Sequence, residues 1–195
     1  MSARSAVLVG LGLTAALAAV LVMTGCAPGA PSSDHSSPGP STGEATSTVS
    51  AGPSAAVFTL PAECTAIASA STLTTLFADI PSRPAGDLTR PAPTGAKKAL
   101  TCSWFAGDTT GGDVLYYSTT ASAAQTYLAV MTANGFTCAA ALGGTRCGKT
   151  TPNTQYPVDT IETTFTRGDV WIYISMTNVD ATALLPDIVA TAWAA

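Results

Sequence analysis

The sequence predicts an α+β domain: an antiparallel sheet with helices mainly on one face, tied by two disulfides. Three observations carry that reading. Strand-like runs come in pairs around the glycines at 107–112, 143–144 and 168. Between the pairs, apolar residues recur at helical spacing. Four cysteines, Cys64, Cys102, Cys138 and Cys147, lie in the same stretch, an even number suited to two cross-links.

At the N-terminus, Met1 to Arg4 carries one positive charge ahead of the apolar run Ala6 to Val22, and small residues precede Cys26. This is the pattern of a secretory signal, residues 1–25. Met23-Thr24-Gly25-Cys26 resembles the lipobox of bacterial lipoproteins, with Met23 standing where leucine is commonest. The resemblance implies that Cys26 becomes the mature N-terminus and carries diacylglycerol on sulfur and an acyl group, such as palmitate, on nitrogen. Two or three chains give stable anchoring to the outer face of the cell membrane. The alternative is an uncleaved membrane helix, since the apolar stretch approaches the roughly 20 residues needed to span a bilayer. Either way the chain after Cys26 lies outside the cytoplasm.

Residues 26–56 contain five prolines and no aromatic residue. Such a segment buries too little apolar area to offset its conformational entropy and reads as a disordered Pro/Ser/Thr-rich tether. As a flexible coil it holds the folded domain on the order of 30 Å from the membrane. His35, the one histidine of the chain, falls in this tether, so the folded part lacks the commonest general base and metal ligand.

Residues 57–195 are one domain's length. Pro61 and Glu63 suit a helix N-terminus, and Leu73, Leu76, Phe77 and Ile80 mark one helical face ending before Pro81. Pro81 to Lys98 is a long loop with Arg83, Arg90, Lys97 and Lys98 against Asp87, either a solvated connector or a binding loop. Leu100–Phe105 and Asp113–Ser118 pair as a hairpin around 107–112. A helix comes next, with Ser122 and Gln125 at capping-box spacing and Asn134-Gly135 as its stop. Phe136–Ala140 with Thr145–Lys149, and Thr160–Thr166 with Val170–Thr177, form two further hairpins. Asp180 is expected to cap the last helix, and Pro186 to break or kink it.

Gly112-Asp113-Val114-Leu115-Tyr116-Tyr117 resembles Gly168-Asp169-Val170-Trp171-Ile172-Tyr173, which suggests two pseudo-repeated strand-strand-helix units. Alternation sends Val170, Ile172, Ile174 and Met176 one way, toward the helices, and Trp171, Tyr173 and Ser175 the other. Tyr117 joins the second set if the repeat aligns. An aromatic face of Tyr117, Trp171 and Tyr173 could hold an envelope sugar, lipid or peptide; the bland reading is that the chain's own helix and long loop cover it.

In an oxidising compartment the four cysteines imply two disulfides and three pairings. Cys138 and Cys147 fall opposite one another if their hairpin closes around Gly143, which leaves Cys64 for Cys102. Zinc is the weaker alternative, without a Cys-x-x-Cys pair or a domain histidine. The lipobox, the early Cys64 and Cys102-Ser103-Trp104 resemble small actinobacterial cell-surface lipoproteins of unknown function. That resemblance implies an extracytoplasmic disulfide-linked α+β domain and brings no activity. In size and disulfide count the domain is also similar to the extracellular sensor domains of some mycobacterial kinases.

Composition narrows the function classes. Without residues 1–25, seven basic and twelve acidic residues leave a net charge of −5, which argues against nucleic acid as a partner. Gly143 to Thr150 matches the phosphate-loop string G-x-x-x-x-G-K-T, but Pro152-Asn153 stands where that loop needs a helix, so no nucleotide is expected. Asp108 and Asp113 bracket a turn without the spacing of a calcium loop. With no nucleophile, base or metal cluster in view, no enzyme and no cofactor are expected. The expectation is a membrane-anchored binding or interaction module, with an accessory subunit of an envelope assembly, or an envelope hydrolase using Asp108, Asp113 or Asp169, as alternatives.

Overall fold

The computed structural model describes residues 57–194, and the expected signal, Cys26 and the tether lie outside these residues. The elements are β1 (Ser82–Arg83), β2 (Lys97–Ala106), β3 (Thr110–Ser118), β4 (Thr137–Ala141), β5 (Gly144–Pro152), β6 (Asp159–Arg167) and β7 (Val170–Thr177), with helices α1 (Ala70–Phe77), α2 (Ala121–Ala133) and α3 (Leu184–Ala192). One 3-10 turn, Cys64–Ala66, precedes α1. The strands form a single seven-stranded sheet in the order β1-β2-β3-β7-β6-β5-β4, antiparallel at every pairing. The α+β class and both disulfides, Cys64–Cys102 and Cys138–Cys147, are as the sequence predicts.

Period-two alternation gives the sheet two apolar faces. One buries Cys102, Trp104, Val114, Tyr116, Phe165, Val170, Ile172, Ile174 and Met176 beneath α1 and α3. Trp104 stacks on Phe77 of α1 at 4.3 Å. The other face buries Leu115, Tyr117, Trp171 and Tyr173 beneath α2, which contributes Ala124 and Met131. Two of the three helices therefore share one face. The proposed repeat aligns in the strands, because Tyr116 pairs with Ile172, its own equivalent 56 residues on. It does not extend to the helices: α2 and α3 pack on opposite faces.

Several local expectations are corrected. The first hairpin turns in three residues, not six, because Gly111 and Gly112 pair with Phe105 and Trp104 inside the ladder. Their lack of a side chain serves close approach: a Cβ on Gly112 would stand 2.1 Å from the Ser175 carbonyl oxygen. Helix α2 is capped by Thr120, whose hydroxyl accepts from the Ala123 N–H, and not by Ser122. Helix α1 is capped by Ser69; Pro61 and Glu63 precede only the 3-10 turn. Asp180 accepts from Thr182 in the turn before α3, which begins after Ala183. Pro186 is the third residue of α3, in the first turn, where its missing N–H would have had no partner in any case, and the helix runs on unbroken.

Candidate functional site

Tyr117, Trp171 and Tyr173 do share a face, but it is not an open platform. They are 7%, 0% and 0% exposed, covered by α2 and by Leu88, Ala92 and Ala96 of the long loop. Tyr127 of α2 meets Trp171 edge-on at 5.5 Å, and the Trp171 indole N–H donates to the Pro91 carbonyl at 3.1 Å. Three aromatic residues on one sheet face carry more apolar area than a small domain leaves in water, and a connector that can hydrogen-bond the indole is the nearest cover. Of the two readings of this face, the structure has the one in which the chain's own helix and long loop cover it, and the face is a second core and not an open aromatic site.

One cross-sheet row beside this core is polar: Arg83, Ser103, Asp113, Ser175, Glu162 and Lys149 are successive register partners from β1 to β5. Asp113 is only 2% exposed and is fully engaged. Arg90 of the loop donates to one carboxylate oxygen at 2.6 Å, and the Ser103 hydroxyl to the other at 2.5 Å. The Tyr173 hydroxyl donates to Glu162, and burial first, then that hydrogen bond and the Glu162 charge, push the phenol above its ordinary range. Asp113 thus fixes the loop through Arg90. Its position was legible only once the register placed it beneath the loop.

The basic loop does not present a cluster. Arg90 is committed to Asp113, and the Lys98 ammonium donates to the Leu88 carbonyl at 3.0 Å. Arg83 and Lys97 are exposed but flank opposite ends of β2: Arg83 pairs with Ser103, six residues along the strand from Lys97, roughly 20 Å. The phosphate-loop string runs along β5 as extended strand, with the Lys149 ammonium on the Asn134 carbonyl. Asp108 is exposed in a turn while Asp113 is buried. Among the described residues no group of three or more His, Cys, Asp or Glu is placed to hold a metal ion, and no helix is long and apolar enough to cross a membrane.

A cleft that sequence reasoning missed lies on the α1/α3 face. The cleft, of about 370 Å³, is lined by strands β4 to β7, by residues 179–182 and by Leu185 and Pro186 of α3. Ile174 and Met176 lie at its floor, almost fully buried, with Ile161 of β6 and Leu142 of the β4–β5 turn on one side and Val179 and Leu185 on the other. Ile161 and Leu142 are 44% and 40% exposed, two of the few large apolar side chains open to water in the domain. Leu142 is held there by its turn: Leu142 and Gly143 both have positive φ, 52° and 72°, the geometry of a two-residue hairpin loop that matches strand twist. Arg146 on β5 and Asp180 before α3 are the charged lining residues. Asp180 is held below the usual carboxylate range by the Thr182 hydroxyl and N–H. A depression of about 170 Å³ at the other end of the same face is lined in part by Phe58, Leu60 and Tyr116, whose buried hydroxyl has no partner among the described residues. It is smaller than usual small-ligand sites, about 300–1,000 Å³, and suits an ordered water. No protein-family model, curated protein or solved structure matches this chain.

Proposed function

We propose that this chain is a lipoprotein anchored through Cys26 to the outer face of the cell membrane, resembling small actinobacterial cell-surface lipoproteins, and that its domain is a non-catalytic binding module. Residues 26–56 are the tether. The cleft between α3 and strands β4 to β6 is the binding site, and the observation that carries this reading is its lining: a concave apolar wall that includes two large side chains left open to water. Exposed apolar groups gathered in a concavity mark binding sites more often than groups scattered singly. The aromatic face, spent on the second core, is not part of the proposal.

Two measurements test it. Cys26→Ala should shift the chain from the membrane fraction to the soluble fraction in the producing cell; retention on the membrane would reject the lipid anchor. N-phenylnaphthylamine, an apolar dye bright only out of water, should fluoresce with residues 27–195 and lose that signal with Ile161→Glu. Ile161 is exposed enough that the change leaves the fold intact. An equal signal from both proteins, or none from either, would reject the cleft as the site.

A further inference from the structure

Resting on the cleft as the binding site, we infer that its ligand is a single-chain amphiphile with an anionic head, a fatty-acid-like molecule whose chain lies on Ile174 and Met176 and whose head meets Arg146. The positions of the domain's cations carry the argument. Arg90 is paired with Asp113. Lys98 and Lys149 donate to backbone carbonyls. The Arg167 guanidinium lies over the Trp193 ring at 5.3 Å. Arg146 has no carboxylate within salt-bridge distance among the described residues, although it shares the cleft lining with Asp180. It is the one cation of a mainly apolar lining whose other charged residue is Asp180.

The local backbone directs it there. Arg146 pairs with Phe165, so its side chain leaves the sheet on the α1/α3 face. Its guanidinium passes over Gly148, 3.8 Å from where a Cβ would stand, beside Thr163, the register partner of Gly148 on the cleft wall. A guanidinium at the edge of an apolar trough recognises a carboxylate or phosphate with two parallel hydrogen bonds. One oxygen of the Asp180 carboxylate accepts from both the N–H and the hydroxyl of Thr182. A volume of about 370 Å³ lies at the lower end of small-ligand sites, about 300–1,000 Å³, which suits one acyl chain better than the two of a membrane phospholipid.

The test is calorimetric titration of residues 27–195 with dodecanoate and with dodecanol, below the concentration at which either aggregates. Both core clusters and both disulfides close within residues 57–194, so this form keeps the whole fold. Dodecanoate should bind about tenfold or more tightly than dodecanol. Arg146→Gln should remove that preference, read as the ratio of the two affinities in the same protein, and Arg146→Lys should restore part of it. Equal binding of acid and alcohol, unmoved by Arg146→Gln, would overturn the anionic head and leave the apolar cleft standing. Binding of neither would overturn the cleft reading itself. A dimer in sedimentation that Ile161→Glu dissolves would assign the cleft to a second copy and overturn the inference, as would dodecanoate binding that appears only when residues 27–56 are removed.

Discussion

Asp187 joins two helices through one carboxylate. It lies in the first turn of α3, where the dipole favours an anion, and one of its oxygens accepts from both the N–H and the hydroxyl of Ser69, each at 2.7 Å. Ser69 is the N-cap of α1, and its hydroxyl oxygen accepts from the Thr72 N–H at 3.3 Å. The helix cap is thus oriented by a residue 118 positions away. The Ser69 hydroxyl holds the Asp187 carboxyl below its ordinary value of 3.8. A carboxyl depressed in the folded state contributes stability above its unfolded pKa, and the contribution disappears as pH falls through the lower folded value. Asp187→Ala should therefore cost about 1–2 kcal/mol at neutral pH, as the loss of a cap and a charge-assisted bond. The difference from wild type should shrink in strong acid. Urea midpoints at the two conditions check both parts, and a deficit that does not change with pH would mean packing, not ionisation, is lost.

At the scale of elements, the hairpins were legible because they rest on neighbouring residues. The sequence points to a turn at Gly143-Gly144; the turn is one residue earlier, at Leu142-Gly143, and the pairing of Cys138 with Cys147 is as expected. Helix starts were less legible. Thr120 and Ser122 are both good caps, and the choice between them depends on where the chain leaves β3; Pro186 reads as a breaker until the helix is known to begin two residues before it. Gly111 and Gly112 have turn composition and are strand, for reasons that lie on the flanking strands, β2 for Gly111 and β7 for Gly112. The cleft was not legible at all. Ile161 alternates like any strand residue, Arg146 sits inside a misleading glycine-rich string, and only the end of α3 makes them neighbours of one space. The two disulfides give a prediction at this scale. Cys64–Cys102 closes 38 residues and Cys138–Cys147 closes 9. On the chain-entropy model these are worth about 4 and about 2.6 kcal/mol. Removing the first pair as alanines should lower stability by about 1 kcal/mol more than removing the second, as read from denaturant midpoints. The reverse order would place the stabilisation in the native hairpin instead of the unfolded chain.

The described residues form two cores on one sheet. Strands β3 and β7 contribute alternate side chains to both: β3 sends Val114 and Tyr116 to the α1/α3 side and Leu115 and Tyr117 to the α2 side. Neither core can lose its packing without exposing the backs of the same strands, and each disulfide is anchored in a different core. The long loop is bound into this unit by Arg90 on Asp113 and by Trp171 on Pro91, so it closes the second core as a structural element. Such coupling predicts a single cooperative transition with the disulfides intact. The tryptophans report on it separately: Trp171 in the α2 core, Trp104 and Trp193 in the other. Variants that keep Trp171 alone, or Trp104 alone, should give coincident urea curves and equal midpoints once each is compared with its own circular dichroism. Were Trp171 to become exposed at lower urea than Trp104, the loop and α2 would form a separately melting layer. The anchor that Arg90 and Pro91 provide would then be too weak to make the second core part of the same folding unit.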